Sequence, residues 1–388
     1  MTTKLMSKFP RISDLEPAAA RNIPPFIHAY LEAGTGNGHA MSRNRKALDK
    51  VTFTPELMHG RFVPNLETKF LGQTFSMPFG VAPIGLSSMI WPLSERHLAA
   101  MAAKLNIPYT LSTVAGASIE DIGSKSDGFG WFQLYAPHSR EIMCSLLERA
   151  ASSNMQVLVV TGDVPGPSRR EDMRKAGAPI GSRNATKMNL RMLLQILQHP
   201  RWALAALELK GKLRFKNMEP YVPRDNSKPI SEFIGEQLNG SLTWEYLSEI
   251  RKHWKGKLLL KGVMQKSDAM KAVDIGVDGI VVSNHGGRQF DGNPASISAL
   301  PSIRQAVGPK YPLVFDSGIR SGLDILRALA LGADFVLVGR PFLYGLAAIG
   351  THGGKHVAQI LEEEIINALL QIGAKNITEL RQRLDLKN

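Results

Sequence analysis

The sequence predicts an α/β chain folded as a (β/α)8 barrel, and three observations carry that reading. Eight short apolar runs recur between stretches of helical periodicity. The runs are mostly aliphatic along their length, as strands buried on both faces are. Each run ends in small or polar residues, as expected where barrel enzymes collect their chemistry at the C-terminal ends of the strands. A doubly wound sheet normally stops at about six strands.

In chain order, Arg21 to Leu57 reads as helices and turns, with Pro24-Pro25 opening a helix that carries Tyr30 and ends at Gly34. The eight strand candidates follow: Phe79-Gly80-Val81-Ala82, Tyr109-Thr110-Leu111, Trp131 to Tyr135, Val157 to Val160, Leu258-Leu259-Leu260, Ile280-Val281-Val282, Leu313-Val314-Phe315 and Phe335 to Val338. Amphipathic helices lie between most of them, such as Ser94 to Leu105 and Gly322 to Leu331, the latter closed by Gly332. Residues 1–388 are read as one domain, with a helical N-terminal segment and a long detour, Ala178 to Leu242, between strands four and five.

Hydrophobic content of 44% and charged content of 21% are those of a soluble globular protein. One cysteine, Cys144, excludes an internal disulfide and reads as a buried small residue on a helix, in keeping with a reducing, cytoplasmic setting. No signal peptide and no membrane-spanning run is expected. Of the net charge of +13, +9 falls between Arg169 and Lys228, where 14 Lys/Arg face 5 Asp/Glu.

Polar groups fall at the run ends: Pro83-Ile84-Gly85, Ser112, Gln133 and Tyr135, Thr161 and Asp163, Lys261, Ser283 and His285, Asp316 and Arg320, and Gly339-Arg340. Imidazole suits proton transfer near neutral pH, and guanidinium clamps a carboxylate through two parallel hydrogen bonds, so His285 with Arg288 suits an acid substrate that must lose a proton. Asp316-Ser317-Gly318-Ile319-Arg320 and Gly339-Arg340 have the composition of a phosphate nest after strands seven and eight. With Ser112, Gln133 and Thr161 able to meet the edges of a flat heterocycle, and Lys261 its reducible side, the cofactor expected is FMN. No metal-ligand spacing, P-loop or dinucleotide fingerprint competes.

The heptad Ser283-Asn284-His285-Gly286-Gly287-Arg288-Gln289 resembles the signature of FMN-dependent α-hydroxy-acid dehydrogenases and oxidases. The resemblance extends from Tyr30 through Ala82-Pro83, Gln133-Leu134-Tyr135, Arg169-Arg170-Glu171 and Lys261-Gly262 to Gly339-Arg340. It implies that His285 is the base and that Asp163 stabilises the imidazolium. It also implies that Arg288, Tyr30 and Arg170 hold the substrate carboxylate, that Tyr135 meets its hydroxyl, and that the chain forms a tetramer or octamer. Two departures bear on chemistry. Val114 stands where glycolate oxidase-like members carry tryptophan, which argues against glycolate. Gly85 stands where oxidases usually carry alanine, which favours a dehydrogenase that passes electrons to a quinone or other acceptor.

The detour combines Leu190 to Leu197 and Trp202 with scattered Lys/Arg, a pattern suited to a membrane interface on the inner face or to packing against the barrel. Removing residues 191–216 is expected to release the protein from membranes and spare flavin reduction. Nucleic acid is not expected as a partner. The expected reaction is FMN-dependent oxidation of an L-2-hydroxy acid, lactate-like or mandelate-like. The alternatives are an oxidase yielding hydrogen peroxide and a non-catalytic phosphate-binding scaffold.

Overall fold

The computed structural model describes residues 2–177, 190–209, 214–223, 230–238, 240 and 242–385. Eight parallel strands close into a barrel: β1 (Phe79–Val81), β2 (Tyr109–Ser112), β3 (Gly130–Leu134), β4 (Val157–Thr161), β5 (Lys257–Val263), β6 (Gly279–Val282), β7 (Leu313–Phe315) and β8 (Phe335–Val338). Each pairs with its neighbours in sequence, and β8 closes the ring on β1 through Val336 beside Phe79 and Val338 beside Val81. All eight predicted strands are present.

Period-two alternation explains both the core and the site. The barrel interior is filled by Trp131, Val157, Val159, Leu259, Val281, Val314, Phe335 and Leu337. Two residues further along each of the strands β3 to β8 the same inward face presents Gln133, Thr161, Lys261, Ser283, Asp316 and Gly339. A strand thus delivers packing below and chemistry above.

A hairpin, Thr68–Phe70 with Gln73–Phe75, precedes β1 and plugs the opposite end of the barrel. Phe70 stacks on Phe335 with ring centroids 5.3 Å apart, and Phe75 lies 5.2 Å from the same ring. The helices pack outside against the alternate strand residues, in a core that includes Leu158, Val160, Leu258, Leu260 and Ile280.

The detour is part packed and part bare. Trp202 is buried, donating from its indole N–H to Ile90 O at 3.1 Å, so it faces the protein and not a membrane interface. Met192 is buried too, and Gln195 Oε1 accepts from Phe26 N at 3.2 Å. Leu190, Leu193, Leu194 and Leu197 of helix Leu190–Leu197 are exposed on one face, with Leu204 and Leu207 exposed close by. Met188, Asn189 and residues 210–213 lie outside the described residues. Among the described residues no helix is long and apolar enough to cross a membrane. Cys144 is half-buried beside His253, not buried as its sequence context implies, because it sits on the outer flank of its helix.

Candidate active site

Strand ends and the loops after them line a cavity of about 420 Å³ at the C-terminal mouth of the barrel. His285 and Arg288 reach it from the loop after β6, Asp163 stands beside them after β4, and Tyr135 follows β3. His285 Nδ1 lies 3.0 Å from Asp163 Oδ1, and Nε2 lies 3.5 Å from the Tyr135 hydroxyl. The backbone is shaped for this. His285 holds φ +57, a left-handed conformation few side chains adopt, and Arg170 and Ser317 share it with φ +44 and +89. Gly262 holds φ +103 where the β5–β6 register shifts, and a Cβ there would come within 2.5 Å of Asp163 Cβ. Only glycine lets Lys261 and Asp163 share this corner.

Burial pushes the His285 imidazole below its ordinary pKa, and Lys261 and Arg170 add to this against the pull of Asp163. A neutral imidazole is the form a base needs. Burial raises the Asp163 carboxyl, but His285 and Lys261 outweigh it, so Asp163 titrates below the usual range and stays anionic. Burial opposes the charge on Lys261, yet Asp316 and Asp163 lift its pKa above the ordinary lysine value. Burial pushes the Tyr135 hydroxyl up to about 12, with Asp163 contributing, so it remains a donor.

Lys261 is 4% exposed, 3.1 Å from Asp316 Oδ2, and donates to Ser283 Oγ at 2.8 Å. Asp316 is therefore the counter-charge of this lysine and not a phosphate ligand, since a carboxylate repels an anion. Ser283 also accepts from His285 N at 3.0 Å and does not line the cavity, so it braces Lys261 and His285 from below. Ser112 likewise stands behind the wall: its hydroxyl donates to Gln133 Oε1 at 2.9 Å, and Gln133 Nε2 donates to Thr161 at 3.0 Å. Gln133 and Thr161, with Pro83, Ile84 and Gly85, line the cavity. Ser317 lines it as well, but its hydroxyl accepts from Gly286 N at 2.9 Å and donates to Asp316.

Four guanidiniums follow one another along the cavity: Arg170, Arg288, Arg340 and Arg320. None forms an ion pair among the described residues. Burial pushes Arg288 well below its ordinary pKa, with Arg170 and Arg340 reinforcing the effect, and burial and Arg320 lower that of Arg340. Uncompensated buried charge of this kind calls for anions. Arg320 and Arg340, with the backbone of Gly318 and Gly339, could hold a phosphate; Arg288 and Arg170 remain for a carboxylate. Arg288 spends two of its donors on Leu31 O (3.1 Å) and Tyr30 O (2.9 Å), which leaves the others free to clamp. Tyr30 differs from expectation. Its hydroxyl donates to Gly85 O at 2.6 Å, and its ring lies under Arg288 with the guanidinium carbon 5.5 Å from the centroid.

The residues present fit FMN. An apolar and amide-edged slot formed by Pro83, Ile84, Gly85, Gln133 and Thr161 would hold a flat ring, Lys261 would supply positive charge beside it, and the arginine pair could hold the phosphate. Gly85 is forced by its neighbour, since a Cβ there would lie 2.6 Å from Val114 Cγ2. The two loops are tied by Leu86 N to Val114 O at 3.0 Å, and buried Glu95 accepts from Ser88 N and Gly116 N at 3.1 Å each.

Other residues at the cavity carry no motif: Met173, Phe215, Ile234 and Leu238. They are ordinary apolar side chains: Met173 sits on the short helix Glu171–Lys175 before the detour, and only the return of the detour over the barrel mouth brings Phe215, Ile234 and Leu238 to the site. The return is fixed by Asn217, fully buried, which donates to Ser112 O at 3.3 Å and accepts from Ile119 N at 2.9 Å.

Residues 19–386 match the family model described as FMN-dependent dehydrogenase. An L-lactate dehydrogenase of Pseudomonas putida (strain GB-1) is 38% identical over 371 residues, 95% of this chain and 96% of that protein. The solved structure of the monotopic membrane protein (S)-mandelate dehydrogenase superposes with a TM-score of 0.90 at 33% identity, covering 97% of this chain and 98% of that one. A mandelate oxidase variant superposes with a TM-score of 0.79 at 30% identity, covering 97% and 98%.

Proposed function

This chain belongs to the FMN-dependent dehydrogenase family, and from that premise we propose that it oxidises an L-2-hydroxy acid to the 2-oxo acid and delivers the electrons to a quinone or other acceptor rather than to oxygen. FMN, when bound, accepts the two electrons that leave with the α-hydrogen. The chain's own residues do the rest. Arg288 and Arg170 hold the carboxylate, and the Tyr135 hydroxyl orients that of the substrate. His285 Nε2 takes the proton the acid gives up, and the Asp163 charge at Nδ1 stabilises the imidazolium.

The observation that carries the reading is the His285 ring itself, held by Asp163 on one nitrogen with the other turned toward Tyr135 in a mouth rich in unpaired guanidinium. An enzyme is the reading this supports; a scaffold has no use for a neutral buried imidazole. Mixing the protein anaerobically with L- and D-2-hydroxy acids tests it: the L-isomer should bleach the flavin band and the D-isomer should not. Supplying a quinone analogue in air and assaying peroxide then separates dehydrogenase from oxidase. Gly85, boxed in by Val114, supports the former.

The relative described as monotopic and the bare leucines of helix Leu190–Leu197 support peripheral attachment to the inner face of a membrane, where a quinone is found. Apolar stem and basic flanks, Arg191 and Arg201, suit anionic lipid. The chain acts as a homo-oligomer in this reading, and exposed Leu57, Met58, Val63 and Phe290 are surface that assembly would cover.

A further inference from the structure

The proposed reaction fixes two groups of the substrate, its carboxylate and its hydroxyl, and leaves the third substituent open. What faces that substituent comes from the described part of the detour together with Val114 and Met173. Five apolar side chains from four separate segments line the cavity: Val114 after β2, Met173 of helix Glu171–Lys175, Phe215, and Ile234 with Leu238 of helix Ile230–Leu238. Ile234 and Leu238 are four residues apart and so share one helix face. Phe215, Ile234 and Leu238 are each 8% exposed and Met173 3%, so the chain has withdrawn them from water while leaving them at the cavity.

The wall is anchored rather than loose. Gln237 O accepts from His138 N at 2.8 Å and its Oε1 from Ser139 N at 3.2 Å, which fixes the end of helix Ile230–Leu238 to the loop after β3. Lys216 N donates to Ala115 O at 3.2 Å, which holds Phe215 against the loop after β2. The charged residues of the same helix, Glu232 and Glu236, are exposed, on the side away from Ile234 and Leu238. Arg169 and Arg174 touch the cavity only from its exposed rim, Arg169 paired with Glu171 at 3.4 Å.

We propose that this wall selects 2-hydroxy acids whose third substituent is large and apolar, an aryl ring or an extended alkyl chain, and that lactate is a poor substrate of this enzyme. The proposal rests on the hydroxy-acid reading above and narrows it. A methyl group reaches little of the five side chains and leaves the cavity beside them unfilled. Every methylene that reaches the wall is removed from water and should raise kcat/KM roughly fourfold until the wall is covered. Among the described residues the nearest cations, Arg169 and Arg174, stand at the exposed rim, so a second carboxylate, as in malate, that reached these apolar side chains would lose its hydration uncompensated.

The test is the rate of anaerobic flavin bleaching by L-lactate, L-2-hydroxyoctanoate, L-3-phenyllactate and L-malate, with the full-length FMN-loaded protein. The octanoate and phenyl acids should exceed lactate in kcat/KM by about tenfold or more, and malate should be slowest. In Ile234→Asn, and separately in Leu238→Asn, the phenyllactate-to-lactate ratio should fall by about tenfold. Lactate equal to or better than the large acids overturns the proposal while leaving the hydroxy-acid reading intact. A ratio unmoved in both folded variants also overturns it. Absence of bleaching with all four acids sinks the hydroxy-acid reading itself.

Discussion

His285 and Asp163 meet at 3.0 Å between Nδ1 and Oδ1, although 122 residues separate them in the chain. The contact fixes which imidazole nitrogen carries hydrogen and leaves Nε2 free as a base. Asp163→Asn removes the charge and can reverse the donor sense of that bond. Flavin reduction by substrate should slow by about 10² to 10⁴, by analogy with the aspartate of a serine-protease triad. Bound FMN should stay within a factor of two of the parent on a rough scale, since Asp163 is no phosphate contact; stopped-flow reduction and flavin absorbance read the two quantities.

The acidity of His285 sets the pH profile. Because burial lowers its pKa from the ordinary 6.5, the base is neutral through that pH and kcat/KM should fall only on the acid side of it, with slope one. The high Tyr135 pKa leaves no basic limb from that residue below about pH 11. Asp163→Asn removes an influence that raises the imidazole, so the acid limb should move further acid. Stability follows the same sense: with the folded pKa below the unfolded one, this contribution is complete above pH 6.5 and is lost as pH falls through the folded value. A profile whose acid limb lies above 6.5 would contradict the assignment.

Gly85 and Val114 form a steric pair, since a Cβ on the first lies 2.6 Å from Cγ2 of the second. Gly85→Ala should destabilise the protein by about 1–3 kcal/mol through overpacking. Adding Val114→Ala should recover much of this, giving a double-mutant coupling of about 0.5–3 kcal/mol in thermal or urea unfolding. Additive losses would mean that the loops relax independently.

Leu193 and Leu197 are 43% and 66% exposed, whereas Met192 and Trp202 of the same region are buried in the body of the protein. Excising residues 191–216 would therefore unroof the barrel, and paired Leu193→Asp and Leu197→Asp changes test membrane attachment more cleanly. Sedimentation with vesicles of anionic lipid should weaken at least about tenfold, and flavin reduction in detergent should not change. Retention on vesicles would contradict the assignment of this face.

The barrel was legible because each strand repeats one signal, an aliphatic run and then a polar end, and alternation turned that signal into inward-facing chemistry at Gln133, Thr161, Lys261 and Asp316. That His285, Asp163 and Arg288 gather at one mouth was legible because imidazole, carboxylate and guanidinium have few other uses at strand ends. The division of labour within it was not. Whether Ser112 and Ser283 face a cofactor or brace Gln133 and Lys261, and whether Asp316 meets a phosphate or a lysine, depends on which side of a strand end each atom occupies. Met173, Phe215, Ile234 and Leu238 were invisible because apolar residues carry no label for the cavity they border. Trp202 misled for the same reason: an aromatic beside basic residues reads alike whether it turns toward lipid or toward Ile90.

The claim on which the account rests is that His285 draws a proton from an L-2-hydroxy acid poised beside FMN. Anaerobic stopped-flow absorbance of the FMN-loaded protein and its His285→Ala variant, mixed with L-3-phenyllactate, tests it most directly. Rapid bleaching is expected in the parent, and a rate slower by about 10³ or more in the variant with its flavin still bound. Bleaching at the parental rate without the imidazole would contradict it.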